Sequence, residues 1–239
     1  YVRADWRGCA QDNGPGAVEQ ITASGMPCSG AGAAHGGSGG AGGIRSQDES
    51  SAGQCSGHFS EAYFGPNAFY EGSGGTSGDS GKRTGGNGGG IVWLTSSGDT
   101  FVNHTVVSAD GEGGKFQDMT QVGSGGGAGG SIQVVTTNLI GNGQFNVRGG
   151  PGSSEGGGGG AGGRLVVNYL KGYLFSSYPD MSYFWMGGAD LHGGLAGPIA
   201  TNYGQAKAGG NGTSDHSPCF PGYTGTFCRA CEPGTFKYD

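Results

Sequence analysis

Gly-Gly-Gly-Ile91-Val92-Trp93-Leu94, Gly-Gly-Ser-Ile132-Gln133-Val134-Val135, Gly-Gly-Arg-Leu165-Val166-Val167-Asn168 and Ala-Gly-Pro-Ile199-Ala200-Thr201-Asn202 are four versions of one phrase. Their apolar anchors, at 91, 132, 165 and 199, recur after 41, 33 and 34 residues. A second half travels with them: Val106-Val107-Ser108-Ala109-Asp110-Gly111, Phe145-Asn146-Val147-Arg148-Gly149-Gly150 and Tyr183-Phe184-Trp185-Met186-Gly187-Gly188. Self-similarity at a period of a few tens of residues marks a stacked repeat. The strands alternate, so Ile91 and Trp93, Ile132 and Val134, Leu165 and Val167 are expected on one face, with Gln133 and Asn168 on the other. The units are too short, and too rich in glycine and β-branched residues, for crossover helices. They predict an all-β chain: a parallel β-helix (β-solenoid) with glycine-rich turns, in which equivalent strands of successive units pair, followed by a small disulfide-rich C-terminal module. Glycines at the corners are expected to supply positive φ and to let neighbouring backbones approach.

Composition fits a repeat. Sixty glycines and nine prolines make up more than a quarter of the 239 residues, which without a period would indicate low complexity or disorder. Hydrophobic residues are only 33% of the chain, but they gather in short clusters, and a stacked repeat needs only a few buried side chains per unit. The net charge is -6 and the 12 basic residues are scattered. Neutralising phosphates needs clustered Lys and Arg, so nucleic acid is excluded as a partner. No run of 18 apolar residues exists, so direct membrane insertion by this segment is not expected. A chain opening at Tyr1 without Met reads as processed or excerpted. Six cysteines, an even count, favour disulfides in an oxidising compartment. Two sequons, Asn103-His104-Thr105 and Asn211-Gly212-Thr213, carry the expectation of N-linked glycans and an extracellular or cell-surface location.

In order, residues 1–84 form an irregular glycine-rich part packed on the repeats, residues 85–205 the repeats, and residues 206–239 a linker and the start of a cysteine-rich module. Within the first part, residues 30–43 are almost devoid of side chains and must lie against something else. Cys9, Cys28 and Cys55 are expected to staple this part, with the pairing open. Segment 169–186 concentrates aromatics, including Tyr173, Tyr178, Tyr183 and Trp185. It reads as an end cap of the repeats or as a contact surface.

Cys219-Phe-Pro-Gly222-Tyr223-Thr-Gly225-Thr-Phe-Cys228 resembles the last disulfide loop of an EGF-like module, and Cys231-Glu-Pro-Gly234-Thr-Phe236 the opening of an ephrin-receptor-like repeat. That likeness implies a Cys219–Cys228 bridge and leaves Cys231 to a partner further along a longer chain. Asn13-Gly-Pro-Gly16, Ala34-His35-Gly-Gly-Ser-Gly-Gly, Ala62-Tyr63-Phe64-Gly65-Pro66 and the Gly-Gly-Arg164-Leu165 opening resemble glycine-rich, β-helix-like surface proteins of plants, algae and protists. In such proteins the glycine-rich part is often followed by EGF-like or ephrin-receptor-like repeats. The resemblance spans most of residues 9–205 and implies fold and location more than activity.

The catalytic signals are weak. Ala33-Ala34-His35 and Gly78-Asp79-Ser80-Gly81 mimic the histidine and serine motifs of trypsin-like proteases. Only about 45 residues separate the two, too few for the double barrel that positions such a triad, and Lys82-Arg83 replaces the Gly-Pro that should follow. Polysaccharide lyases and hydrolases need paired carboxylates, or carboxylates with calcium and a base, on one strand face. Asp99, Asp110, Glu112, Lys115 and Asp118 are instead expected in turns. The repeats lack the Gly-Gly-x-Gly-x-Asp of calcium-binding nonapeptides. The histidines are dispersed, and Cys228-x-x-Cys231 has no second pair, so no metal or other cofactor is expected. Packed polyglycine helices would need runs longer than residues 156–160, and the Ile and Leu anchors speak against them. The reading is a non-enzymatic structural protein that self-associates into a filament, appendage or coat. The alternative is an adhesive or carbohydrate-binding module of a larger surface receptor, with Tyr173, Tyr178, Tyr183 and Trp185 as its candidate aromatics.

Overall fold

The computed structural model describes residues 1–18, 29–43, 70–78, 84–115, 122–169, 187–198 and 206–216, together with two short strands further on. The strands are β1 (Val2–Arg3), β2 (Ile91–Thr95), β3 (Asp99–Phe101), β4 (Val106–Ser108), β5 (Ser131–Thr136), β6 (Asn138–Ile140), β7 (Gln144–Asn146), β8 (Arg164–Tyr169), β9 (Gly188–Asp190), β10 (Thr213–His216), β11 (Tyr223–Thr224) and β12 (Arg229–Ala230). They form two four-stranded sheets, β1-β4-β7-β9 and β10-β8-β5-β2, and a two-stranded one, β3-β6. All pairings in these three sheets are parallel. β11 and β12 pair antiparallel. The strands form where β-branched and large apolar residues cluster, as in Ser131-Ile-Gln-Val-Val-Thr136, because such side chains fit a pleated, half-buried surface. Val107 and Phe145 of one four-stranded sheet meet Val92, Ile132, Val134, Leu165 and Val167 of the other, with Val102 and Leu139 closing the side.

The expected β-helix is not what these strands build. Among the described residues no strand exceeds six residues, the sheets are small, and the glycine-rich stretches between them belong to no strand. Segment 122–130 shows what they do instead. The amides of Gly125 and Ala128 donate to Thr76 and Ser73, those of Gly126 and Gly129 to Gly158 and Ala161, and those of Gly127 and Gly130 to Glu112 and Ala109. Residues three apart address the same neighbour. Segment 157–163 repeats the rule: Gly158 and Ala161 donate to Gly30 and Ala33, Gly159 and Gly162 to Lys207 and Gly210, Gly160 and Gly163 to Gly150 and Val147. Three residues per turn without internal hydrogen bonds is the geometry of a polyproline-II-type helix. These segments are therefore extended rods bundled side by side, the packing that the sequence disfavoured. A β-ladder offers hydrogen bonds in one plane only; chains without Cβ atoms can be approached from every side, so rods replace turns.

Two further expectations change. Among described glycines only Gly14, Gly141 and Gly156 have positive φ, so most of the others serve close approach, not chain reversal. The sequence alignment is also one residue out of register in the first unit. Val92, not Ile91, pairs with Ile132, and Ile132 with Leu165. Likewise Val107, not Val106, pairs with Phe145. A one-residue slip exchanges the faces, so Val92 is buried while Ile91 and Trp93 are exposed. The third member of the second row is Gly188–Asp190; Tyr183–Trp185 and Ile199 lie outside the described residues. The flanks join the same body. Residues 29–43 hydrogen-bond into the bundle, and β10, from the expected linker, pairs with β8.

Candidate functional site

The outer face of the β1-β4-β7-β9 sheet carries a groove of about 890 Å³. Alternation creates it. Val107, Phe145 and Ala189 are in register and turn inward to the core, so their successors face out. Register aligns Arg3, Ser108, Asn146 and Asp190 across the four strands. One apolar residue further along each pass lies Ala4, Ala109, Val147 or Leu191; Ala109 and Val147 belong to the core, and Ala4 and Leu191 pack against it. Beyond these comes a second outward row, Asp5, Asp110, Arg148 and His192, tied by backbone bonds from Trp6 to Asp110 (3.0 Å), Gly111 to Arg148 (2.8 Å) and Gly149 to His192 (3.0 Å).

The second row is a connected polar network. Asp5 Oδ1 accepts the Asp110 amide at 2.9 Å, and Asp110 Oδ1 accepts the Arg148 amide at 2.7 Å. The Arg148 guanidinium clamps Asp110 Oδ2 through Nε at 3.0 Å and Nη2 at 2.6 Å. The hydrogen bond to Asp110 raises the Arg148 pKa, outweighing partial burial. His192 Nδ1 lies 2.7 Å from Asp190 Oδ1, and the His192 amide donates to the same oxygen at 3.2 Å. Burial at Asp190 favours the neutral acid, but the hydrogen bonds from His192 and the charges of His192 and Arg148 outweigh it and hold the carboxyl below its usual range. At one end of the groove stand the exposed rings of Tyr1 and Trp6, with the Arg3 guanidinium 4.7 Å from the Tyr1 centroid; at the other stands exposed Leu195. Asn146, only 8% exposed, lines the groove, and its Oδ1 has no hydrogen-bond partner.

No protein-family model, no curated protein and no solved structure matches this chain. The site is therefore read from its own chemistry.

Of the residues singled out by sequence, Asn103 and Asn211 are both exposed. Cys9, expected to share a disulfide, bears a free thiol. Hydrogen bonds fix this segment instead: the Cys9 amide donates to Gly72 at 3.0 Å and its carbonyl accepts from Gly88 at 2.9 Å. Burial, helped by the charge of Glu71, raises the thiol pKa. Cys28, Cys55, Cys219, Cys228, Cys231, Tyr173, Tyr178, Tyr183 and Trp185 lie outside the described residues, as does Ser80. His35 is fully buried and donates from Nδ1 to the Gly129 carbonyl at 2.7 Å, in the slot where a further rod amide would sit. Among the described residues no group of three or more His, Cys, Asp or Glu is placed to hold a metal ion, and no helix is long and apolar enough to cross a membrane. The groove residues escaped the sequence reading, although their signal is present. Arg3-Ala4-Asp5, Ser108-Ala109-Asp110, Asn146-Val147-Arg148 and Asp190-Leu191-His192 are one polar–apolar–polar triplet, hidden because the sequence alignment sets Ser108 against Val147 instead of Asn146.

Proposed function

We propose that this chain is a glycosylated structural building block of an extracellular filament, appendage or coat, joined to further copies through the β1, β2 and β3 edges. One observation carries the reading. Among the described residues, the large apolar side chains left exposed are Tyr1, Val2, Trp6, Tyr70, Ile91, Trp93, Phe101 and Leu195. Six of these eight lie on or beside β1, β2 and β3, each the terminal strand of its sheet. Soluble monomers blunt such edges with charge, and a clustered apolar surface marks an interaction site. A contact between one end of a stack of parallel strands and the opposite end of another copy is heterologous, and it propagates as a filament unless it closes. The exposed sequon asparagines support a glycosylated surface.

Sedimentation velocity and electron microscopy of the native chain over a range of concentrations test this. The expected result is concentration-dependent growth into ordered filaments, abolished by Trp93→Lys or Phe101→Lys with the circular dichroism spectrum unchanged. A wild-type chain that remains monomeric at its highest soluble concentration sinks the proposal.

A further inference from the structure

We infer that the groove over the β1-β4-β7-β9 sheet is an oligosaccharide-binding site, in which Asn146 Oδ1 accepts a sugar hydroxyl. The starting point is the unpartnered Asn146 Oδ1. A buried acceptor without a donor costs about 1–3 kcal/mol, and native structures rarely leave one in place without a use. A bound donor removes that cost. Asn146 lines a groove whose volume, about 890 Å³, is within the range that encloses a small-molecule ligand, and a turn of its side chain brings the buried oxygen to that groove.

The surroundings select the ligand class. Asp110 is paired with Arg148 and Asp190 hydrogen-bonds His192, and the lining carries both signs of charge, Arg3 and Arg148 beside Asp5 and Asp110, so no single-sign field selects an ion. These groups stand in rows across parallel strands, spaced by about 4.8 Å, and present both donors and acceptors. Gly111, Gly149 and Gly193 leave part of the lining without side chains, so a flat ring can approach the backbone. At one end Trp6 and Tyr1 offer exposed aromatic faces, which stack on the apolar face of a pyranose. An extended peptide is the poorer fit. Peptides capture backbone groups at a sheet edge, whereas this lining is a sheet face whose amides are already paired with neighbouring strands.

The test is isothermal titration of the purified full chain with neutral hexasaccharides (β-1,4-glucan, β-1,4-N-acetylglucosamine and α-1,6-mannan) and, in parallel, a glycan array carrying N-linked structures. Binding to at least one class is expected. Tighter capture of array N-glycans than of free hexasaccharides would identify protein-borne sugar as the source, and the reverse a free polysaccharide. Asn146→Leu should weaken binding at least tenfold while leaving the urea midpoint unchanged or higher, because its oxygen has no protein partner to lose. Trp6→Ala, at an exposed position, should also weaken binding about tenfold. Trp93→Lys, outside the groove and unable to assemble, should bind at least as tightly as wild type, which separates this site from edge-to-edge association. The inference is overturned by absence of binding to every sugar, by binding that survives both Asn146→Leu and Trp6→Ala, or by a groove that takes up an extended peptide library instead.

Discussion

At the residue scale this molecule depends on what its glycines lack. A Cβ at Gly125 would fall inside the contact distance of the Ala31 carbonyl, one at Gly126 inside that of Gly150, and one at Gly127 inside that of Asn87. The three neighbours belong to three different rods, so no single shift relieves all three. Methyl groups are admitted at a few positions, and Ala33, Ala128 and Ala161 meet as a small fully buried cluster between three rods. Gly188 sits at the start of β9 with nothing within 4 Å of a built Cβ. Gly125→Ala should therefore cost about 3 kcal/mol, the upper end of overpacking penalties. Gly188→Ala should leave stability unchanged or raise it by roughly 0.5 kcal/mol through a less flexible unfolded chain. Urea unfolding of the two variants beside wild type reads the difference. Equal midpoints would mean that the rods are not tightly bundled.

At the scale of elements, the strands were legible and the rods were not. Ile132, Val134, Leu165 and Val167 stand out as alternating apolar residues, and all four are fully buried in the core. A glycine run carries no such pattern. Whether it turns, wanders or packs is decided by neighbours far away in sequence, as when Gly125 donates to Thr76. The register error has a local cause. Ile91 occupies the outward slot that Ser131 and Arg164 fill in the following units, so an apolar side chain at an outward position looked like a core anchor. The same slip concealed the groove, because it took Asn146 and Arg148 out of line with Ser108 and Asp110. The structure predicts opposite outcomes for adjacent residues. Val92→Ala should destabilise by about 2 kcal/mol through lost burial and a residual cavity, whereas Ile91→Ala should stay within about 0.5 kcal/mol, as surface changes do. Thermal unfolding of both variants checks the register directly; a larger loss at Ile91 would restore the alignment read from the sequence.

For the whole molecule, His35 joins the bundle to the sheets. Residues 29–34 and 38–43 run as paired rods joined by a turn at 35–37, and the imidazole at that turn reaches the rod that leads into β5. Nδ1 donates to Gly129, and Nε2 lies 3.5 Å from the Ser131 hydroxyl at the first position of β5. Burial disfavours the charged ring, the hydrogen bond to Gly129 opposes this, and the Arg164 charge reinforces it; the pKa falls from 6.5 to about 4. Above pH 6.5 the ring is neutral in folded and unfolded chains alike, and it adds no pH dependence. As the pH drops from 6.5 towards 4 the unfolded chain binds the proton first, so stability declines with slope set by the difference in bound protons. The loss levels off below 4 at about 3 kcal/mol. For a chain of this size that corresponds to a fall of about 10 °C in Tm. Every other ionisable group is shared by a variant that changes His35 alone, so the comparison isolates the imidazole. His35→Gln can retain an amide donor for Gly129 without a titrating ring, and its Tm should therefore fall less than wild type between pH 6.5 and 4. Parallel curves for the two proteins would show that protonation of His35 does not oppose the fold. A gap that opens only below pH 6.5 would show that one buried imidazole couples the glycine bundle and the sheets to proton concentration.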